Sequence, residues 1–360
     1  MSGILTIDRK KLVTQAKQVQ SGTPTIAVVK NNAYNFGLNL AVRAFLEAGI
    51  TAFATTSLKE AEAIRKITED SMVFLLNPTY EFEFVKSLNL SMTLPSLEYY
   101  NKYYEGLKGI NVHIEYAGLF NRSGFESFSE VEEVLNHQMT LNEQERFIIQ
   151  GAWCHFGYAD EFDGIYEIER KNWLDFLGHF KKLNMVLEYI HSQNTASFSR
   201  DGLLEGHTHT RLGIGLYGSK PYSGLNDELF IQPFALYSKV VQVRSMDEDM
   251  PMGYGGSFVA DRKTKVAVVD IGYGDGVLRK RAAYDCLING KRYPIVTLMM
   301  SHMIVEVDEA VSINDKVYIY HPEMRLDEYT FKGVGANSEQ LATLNYNTLT
   351  KEIIHDSGIS

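Results

Sequence analysis

The chain is poor in cysteine: Cys154 and Cys286 are the only two among 360 residues. They stand far apart and without metal-ligand spacing, so neither a disulfide framework nor a metal centre is expected. Two free thiols fit a reducing compartment. Positive charge is also short, with 35 Lys and Arg against 45 Asp and Glu, a net charge of −10. Nucleic acids and anionic membranes require a basic footprint, and neither is an expected partner. No apolar stretch approaches the roughly 20 residues that span a bilayer. The N-terminus, Met1-Ser-Gly-Ile-Leu-Thr-Ile-Asp8, lacks the basic region and long apolar run of a signal peptide. A cytoplasmic protein is the expectation. Internal repeats and low-complexity linkers are missing as well. What is present is a globular composition, 45% apolar and 22% charged, at a length that suits one large domain or two ordinary ones.

One stretch organises the rest: Thr25-Ile-Ala-Val-Val-Lys30-Asn-Asn-Ala-Tyr34-Asn-Phe-Gly37. An apolar, partly β-branched run ends abruptly in a single lysine, and asparagines and a glycine follow. This pattern predicts a buried parallel strand with Lys30 at its C-terminal tip, where α/β folds place their ligands. A lysine whose stem lies against apolar walls has a depressed pKa and serves as a Schiff-base nucleophile. Most strand-end lysines are simply solvated charges, so Lys30 alone does not decide the function.

Short strands then alternate with helices. A polar-faced helix is expected at 10–21, a helix from Leu38 to Ala48 capped by Gly49, and a strand at Ala52–Thr56. Ser57 with Glu60 three residues on reads as a capping box opening a helix from Leu58 to Lys66. Further strands are expected at Val73–Leu76, Val112–Glu115, Gly151–His155, Asn184–His191 and Arg211–Tyr217. Strands of four to six residues separated by helices predict a (β/α)8 TIM-like barrel. From about Phe230 the texture changes to closely spaced β-branched runs: Leu236–Val243, Lys265–Ile271, Ile304–Val307 and Lys316–Tyr320. The fold class expected is α/β, an N-terminal barrel followed by a C-terminal all-β domain.

The Lys30 stretch resembles the cofactor-lysine signature of alanine racemases, Val-Val-Lys-x-Asn-Ala-Tyr-x-x-Gly. Val28, Val29, Lys30, Asn32, Ala33, Tyr34 and Gly37 meet every fixed position. The resemblance continues in order along nearly the whole chain. His191-Ser-Gln-Asn194-Thr195-Ala196 is similar to His-x-x-Asn-Ser-Ala, with Thr195 for the serine, and Arg211-Leu-Gly213-Ile214 to Arg-x-Gly-Ile. Cys154-His155-Phe156 with Ala159-Asp160 is similar to His-Phe-Ala-Thr-Ala-Asp. Gly272-Tyr273-Gly-Asp-Gly276 resembles Gly-Tyr-Ala-Asp-Gly, and Thr343-Leu-Asn-Tyr346-Asn-Thr-Leu-Thr350 resembles Thr-x-x-Tyr-x-x-Leu-Thr.

The resemblance implies a two-base racemase dependent on pyridoxal 5′-phosphate, with alanine as substrate and D-alanine passing to peptidoglycan synthesis. It implies Lys30 as Schiff-base lysine and one base, and Tyr254 as the second base. Tyr34, Asn194, Thr195, Gly213, Ile214 and Tyr346 fall to the phosphate side, and Arg211 to the pyridine nitrogen. His155 and His191 join Tyr254 and Arg211 in a hydrogen-bond chain. Arg122 and the Met300 N–H would hold the substrate carboxylate, and Tyr273 would narrow the entrance with Tyr346. It implies a homodimer with shared sites, a barrel over residues 1–228 binding the cofactor, and a β-domain over 229–360 supplying Tyr254 to the partner subunit.

Three departures fall on the substrate side. Glu115 stands where many members carry a carbon-dioxide-modified lysine, and is expected to orient Arg122 directly or through water. Met299-Met300-Ser301 replaces Cys-Met-Asp, and Asn35-Phe36 replaces Gly-His. These leave open a serine or broader substrate range, or a low-activity cofactor-binding homologue. A decarboxylase of similar architecture would need a glycine-triplet phosphate loop and an acidic-context catalytic cysteine, which are not found here.

Overall fold

The computed structural model describes residues 3–355 and divides into two compact units. One runs Ala16–Leu216; the other joins the residues up to Gln15 to those from Tyr217 onward. In chain order the first strands are β1 (Ile4–Asp8), β2 (Thr25–Val28), β3 (Ala52–Thr55), β4 (Met72–Leu75), β5 (Ser91–Leu94), β6 (Asn111–Glu115), β7 (Ile148–Trp153), β8 (Tyr189–His191) and β9 (Thr210–Leu212).

Strands β2 to β8 pair in sequence order, each parallel to the next, and β9 returns to lie beside β2 with Arg211 opposite Ile26. The Thr208 N–H reaches the Ile190 carbonyl at 3.1 Å and the Arg211 N–H reaches Gln193 O at 2.8 Å, bridging β8 to β9. Eight parallel strands so ordered, separated by helices such as Leu38–Glu47, Leu58–Arg65, Phe128–Thr140 and Ile165–Lys182, form the expected (β/α)8 barrel. The strands are buried on both faces, which is why β2 and β3 read as unbroken apolar runs.

Three sequence expectations are corrected, the first being the strand expected at Arg211–Tyr217, which ends at Leu212 and gives way to a tight helical turn at Ile214–Tyr217. Residues 184–188 are not strand: Asn184 takes a left-handed φ of 54° just past the helix Ile165–Lys182, and β8 begins only at Tyr189. Conversely, β5 was not anticipated, because Ser91 and Thr93 interrupt its apolar run. Both are buried and satisfied, Ser91 by Gln150 at 2.6 Å and Thr93 by Glu115 at 3.1 Å.

The second unit contains β10 (Phe234–Met246), β11 (Pro251–Met252), β12 (Phe258–Val259), β13 (Thr264–Val269), β14 (Asp285–Ile288), β15 (Lys291–Leu298), β16 (Met303–Val307), β17 (Lys316–Tyr320) and β18 (Thr350–Ile354). The long strand β10 pairs with both β13 and β17, and the order β13-β16-β15-β14-β17 completes a closed antiparallel ring. Closure leaves no free edge within it. β1 pairs antiparallel to β10 and β18 runs parallel to β1, so residues at both ends of the chain belong to this sheet. Met246, Ala260, Val266 and Ile304 form an apolar cluster in it. Among the described residues no helix is long and apolar enough to cross a membrane.

Gly151 in β7 shows how tightly the first barrel is drawn. A Cβ there would lie 2.4 Å from the Tyr189 carbonyl oxygen and 3.1 Å from the His113 ring. We expect Gly151→Ala to destabilise the protein by about 1–3 kcal/mol, read as a lowered denaturation midpoint. An unchanged midpoint would show that β7 and β8 can separate.

Candidate active site

Lys30 follows β2 by one residue, and the chain does something unusual there. Asn31, Asn32, Ala33, Tyr34 and Asn35 all have positive φ, between 51° and 70°. This is a turn of left-handed helix, which costs an L-residue roughly 1–2 kcal/mol per position. Asparagine tolerates it; Ala33 and Tyr34 do so only because surrounding bonds hold them. Asn32 Oδ1 accepts the Leu38 N–H at 2.8 Å. The Asn32 N–H donates to Glu60 Oε1 at 2.7 Å, and the Thr55 hydroxyl donates to Glu60 Oε2. The expected capping box is therefore not formed. Ser57 makes no side-chain cap bond, and Glu60 turns to the inverted loop instead of its own helix. The Lys30 amine is held below the usual lysine range, chiefly by burial and then by the positive charges of Arg122 and Arg211. A larger fraction is thus the free, nucleophilic amine.

Arg211, 4% exposed at the middle of β9, lies over the Trp153 ring at 4.8 Å. One terminal nitrogen donates to His191 Nδ1 at 2.9 Å and to His191 O at 3.3 Å. The other donates to Cys154 O at 3.0 Å and to His155 Nδ1 at 3.2 Å. Four of its five N–H groups are thus used, and the fifth, on Nε, has no partner among the described residues. A guanidinium only donates, so Nδ1 of His191 must accept and its proton sits on Nε2. That proton points to His113 Nδ1 at 2.9 Å, and His113 Nε2 in turn faces Gln150 Oε1 at 3.4 Å. Gln150 Nε2 then donates to Glu188 at 3.1 Å. Burial and the adjacent Arg211 charge hold His191 far below the ordinary histidine value and push His155 down to about 3. His113 is also pushed down to about 3, chiefly by burial. All three are neutral at physiological pH. Arg211 itself, lowered by burial to about 10, remains charged.

An anion cradle adjoins this group. The turn Ile214–Tyr217 opens directly after β9, and its first amides, Gly213 and Ile214, have no partner within the turn. Gly213 must be glycine: a Cβ would sit 2.6 Å from the Tyr34 hydroxyl. Burial raises that phenol to about 12, so it is a neutral donor. Thr195 Oγ1 accepts the Gly215 N–H at 3.2 Å, which ties the helix Thr195–Asp201 to the same turn and leaves the hydroxyl proton free to point elsewhere. Asn194 is already committed: Oδ1 accepts the Ser197 N–H at 3.0 Å, and Nδ2 donates to Phe156 O at 2.8 Å. Its place is structural, capping the helix that carries Thr195. Backbone amides, a threonine hydroxyl, a neutral tyrosine and an unused Arg Nε–H fit a phosphate joined to a ring with an accepting nitrogen.

On the substrate side the sequence expectation is partly corrected. Arg122 is exposed, with its guanidinium over Phe120 at 5.0 Å, and Phe120 in turn packs edge-on against His155 at 4.8 Å. No ion pair joins it to Glu115 among the described residues. Glu115 instead accepts the Ser123 hydroxyl at 2.6 Å and the Thr93 hydroxyl at 3.1 Å. Its pKa is raised by burial, against the pull of these bonds and of Arg122 and Arg211. Direct orientation of Arg122 is therefore absent; the carboxylate fastens the Ser123 end of the Arg122 loop.

The remaining candidates lie in the second unit. Tyr254 stands on a short turn after Gly253 and is 79% exposed. Tyr273 N–H donates to Met299 O at 2.9 Å and Gly274 N–H to Met300 O at 2.8 Å. Asn345, beside Tyr346, donates to Gly274 O at 2.9 Å. The Tyr273, Met300 and Tyr346 segments are thus hydrogen-bonded into one cluster. Arg279 lies over the Tyr273 ring at 4.3 Å, and Lys351 over that of Tyr346 at 4.4 Å.

Sequence reasoning missed His113, Gln150 and the true role of Glu60. One signal was available for His113: in Val112-His-Ile-Glu115, His113 and Glu115 share a strand face two residues apart, two polar groups in a buried strand.

Comparison with known proteins follows the same lines. The alanine racemase N-terminal domain model matches residues 7–221 and the C-terminal domain model residues 234–352. The chain is 49% identical to alanine racemase 2 of Staphylococcus aureus over 98% of its own length and 99% of that protein. It is 28% identical to the Lactobacillus acidophilus alanine racemase over 86% and 85%. Among solved structures, the E. faecalis alanine racemase superposes with a TM-score of 0.86 at 24% identity, covering 98% of each chain. The Bartonella henselae alanine racemase with covalently bound pyridoxal phosphate superposes at 0.87 and 22%, covering 98% of this chain and all of that one.

The neutral histidines carry a pH signature. The unfolded chain takes up protons near the ordinary histidine value of about 6.5, whereas folded His113 and His155 do so only near 3. Between those values the unfolded state binds more protons, so this contribution to stability is complete above about 6.5 and falls with acidification. Glu115 contributes with the opposite sign but equally in both proteins of a comparison. His113→Gln should flatten the stability–pH slope by up to about 1.4 kcal/mol per pH unit, measured by chemical denaturation from pH 4 to 7. Parallel slopes would mean His113 is charged in the folded protein.

Proposed function

The chain belongs to the alanine racemase family, and we propose that it interconverts L- and D-alanine with pyridoxal 5′-phosphate held at Lys30. The observation that carries this reading is the one unused N–H of Arg211, on Nε, beside a lysine amine made nucleophilic by burial and an amide-lined anion cradle. Gly213, Ile214, Thr195 and Tyr34 would take the phosphate. Arg211 would meet the pyridine nitrogen. When bound, the cofactor supplies an electron-withdrawing ring that acidifies the substrate Cα–H.

The residues divide the remaining work. Arg211 keeps its proton, because its other donors face only acceptors that are themselves neutral, and the ring nitrogen is hydrogen-bonded rather than protonated. The resulting weaker electron sink disfavours side reactions such as transamination. Tyr254 Oη removes Cα–H from the L-antipode, and Lys30 Nζ returns a proton on the opposite face; for the D-antipode the roles reverse. Arg122 and the Met300 N–H take the substrate carboxylate. Tyr273 and Tyr346 narrow the mouth, which favours a small side chain. Exposed Tyr254 suits a homodimer in which each chain lends its tyrosine to the partner's site. D-alanine so produced would supply cell-wall peptidoglycan.

In D₂O with added cofactor, deuterium should enter the α-position of alanine as the other antipode accumulates, followed by NMR. Absence of exchange from protein loaded at Lys30 would sink the racemase reading, and faster exchange in serine would reassign the substrate. Tyr254→Phe should slow conversion of L-alanine by about 10²–10⁴-fold without preventing cofactor uptake.

Mixing inactive Lys30→Ala and Tyr254→Phe chains tests the shared site separately. Random re-pairing would place one intact site in half the dimers and restore about a quarter of wild-type activity. No recovery despite exchange of chains would mean that Tyr254 serves its own chain.

A further inference from the structure

The inverted turn after Lys30 stands apart from everything else in the backbone. Among the described residues, every other non-glycine residue with positive φ is isolated, and all are Ser, Asn or Asp at loop positions. Here five occur in succession, and two of them, Ala33 and Tyr34, are residue types that rarely adopt such a backbone. Within the turn the Ala33 N–H donates to Val29 O at 2.9 Å, the Asn35 N–H to Asn31 O at 3.1 Å, the Phe36 N–H to Ala33 O at 2.9 Å and the Gly37 N–H to Asn32 O at 3.0 Å. The first of these reaches back to the end of β2, and the others stay within the turn.

Glu60 ties the turn to the neighbouring strand. It sits in the first turn of the helix Leu58–Arg65, yet its carboxylate leaves that helix. One oxygen takes the Asn32 N–H in the middle of the inverted turn, and the other takes the hydroxyl of Thr55, the last residue of β3. β3 is the neighbour of β2, and the Val29 N–H is bonded to Ala54 O at 2.9 Å. The carboxylate therefore bridges the turn that begins at Lys30 to the rigid end of the adjacent strand. Bonds to an ionised acceptor are about twice as strong as neutral ones.

We infer that Glu60 is a positioning residue of the active site, which holds the left-handed turn and so aims the Lys30 amine and the Tyr34 hydroxyl together at the cofactor. On this assignment it acts through the backbone of Asn32. The inference rests on the proposed role of Lys30. The plainer assignment, a helix-capping glutamate, requires bonds to the Ser57 region that are not formed.

Glu60→Gln keeps the size but removes the charge: the amide oxygen can still take the Asn32 N–H and the amide NH2 can donate to the Thr55 hydroxyl, so two charge-assisted bonds become neutral ones of about half the strength. The test is titration of the apoprotein with pyridoxal phosphate, following the absorbance of cofactor attached through Lys30 and verifying the site by borohydride reduction and peptide mass. Glu60→Gln should weaken uptake by about 10-fold or more, and Thr55→Val should do so to a lesser degree. Thermal denaturation of each apoprotein verifies that it is folded.

The decisive variant is Ala33→Gly in the Glu60→Gln background. Glycine adopts positive φ without a Cβ penalty, so it should restore uptake to within about threefold of wild type. A generic loss of stability would instead be worsened by the added glycine. Wild-type uptake in Glu60→Gln, or failure of Ala33→Gly to rescue, overturns the assignment to Glu60 alone. A wild-type chain that takes up no cofactor at Lys30 overturns the functional reading and this inference with it.

Discussion

A positive charge buried among groups that can only accept hydrogen bonds governs the chemistry of this molecule. Arg211 gives two N–H groups to backbone carbonyls and two to histidine nitrogens, which fixes both the plane of the guanidinium and the direction in which its Nε–H points. Burial first, and this charge after it, disfavour protonation of His155 and His191, and burial, Arg122 and Arg211 in that order lower the Lys30 amine. Burial and this charge together shape each proton in the neighbourhood: held less firmly on the lysine, on one nitrogen of each histidine, and always on the arginine. Trp153 and Phe74, packed against Arg211, His113 and His191, exclude the water that would screen these effects.

Around that centre the backbone is made to fit at some cost. The turn after Lys30 runs against the preferred hand of L-residues, and Gly213 forgoes a side chain because the Tyr34 hydroxyl occupies its space. These two features belong together, since the inverted turn is what brings Tyr34 to Gly213. Strain concentrated at one point of an otherwise regular barrel is the usual mark of a site that needs a geometry the fold alone would not adopt.

The substrate side is organised differently. Glu115 is an acid in a buried strand, but it binds hydroxyls instead of facing Arg122. Arg122 is left exposed over Phe120. In the second unit the Tyr273, Met300 and Tyr346 segments are tied together through backbone and Asn345 bonds, so the substitution of Ser301 alters a side chain without loosening the loop that carries it.

Much of this was legible in the residues. Parallel strands buried on both faces announce themselves as apolar runs, and Lys30, Arg211 and Gly213 lie in short contiguous motifs that place them at strand ends. Local pattern failed where the partner was distant. Glu60 lies three residues after Ser57 in the spacing of a capping box, yet its two partners are 28 and 5 residues away on other elements. His113 meets His191 across 78 residues. β1 pairs with a strand some 230 residues later, which no periodicity within Ile4–Asp8 could reveal. Sequence by itself determined most of the barrel's strands and helices, though not β5 or the true bounds of β8 and β9, and which residue types stand at the strand ends, because these depend on neighbours a few positions apart. Only the tertiary structure decided the hand of the turn after Lys30, the direction of the Arg211–His191–His113 chain and the use of Glu60. Each of these is settled by a hydrogen bond between elements that become neighbours only when the barrel closes.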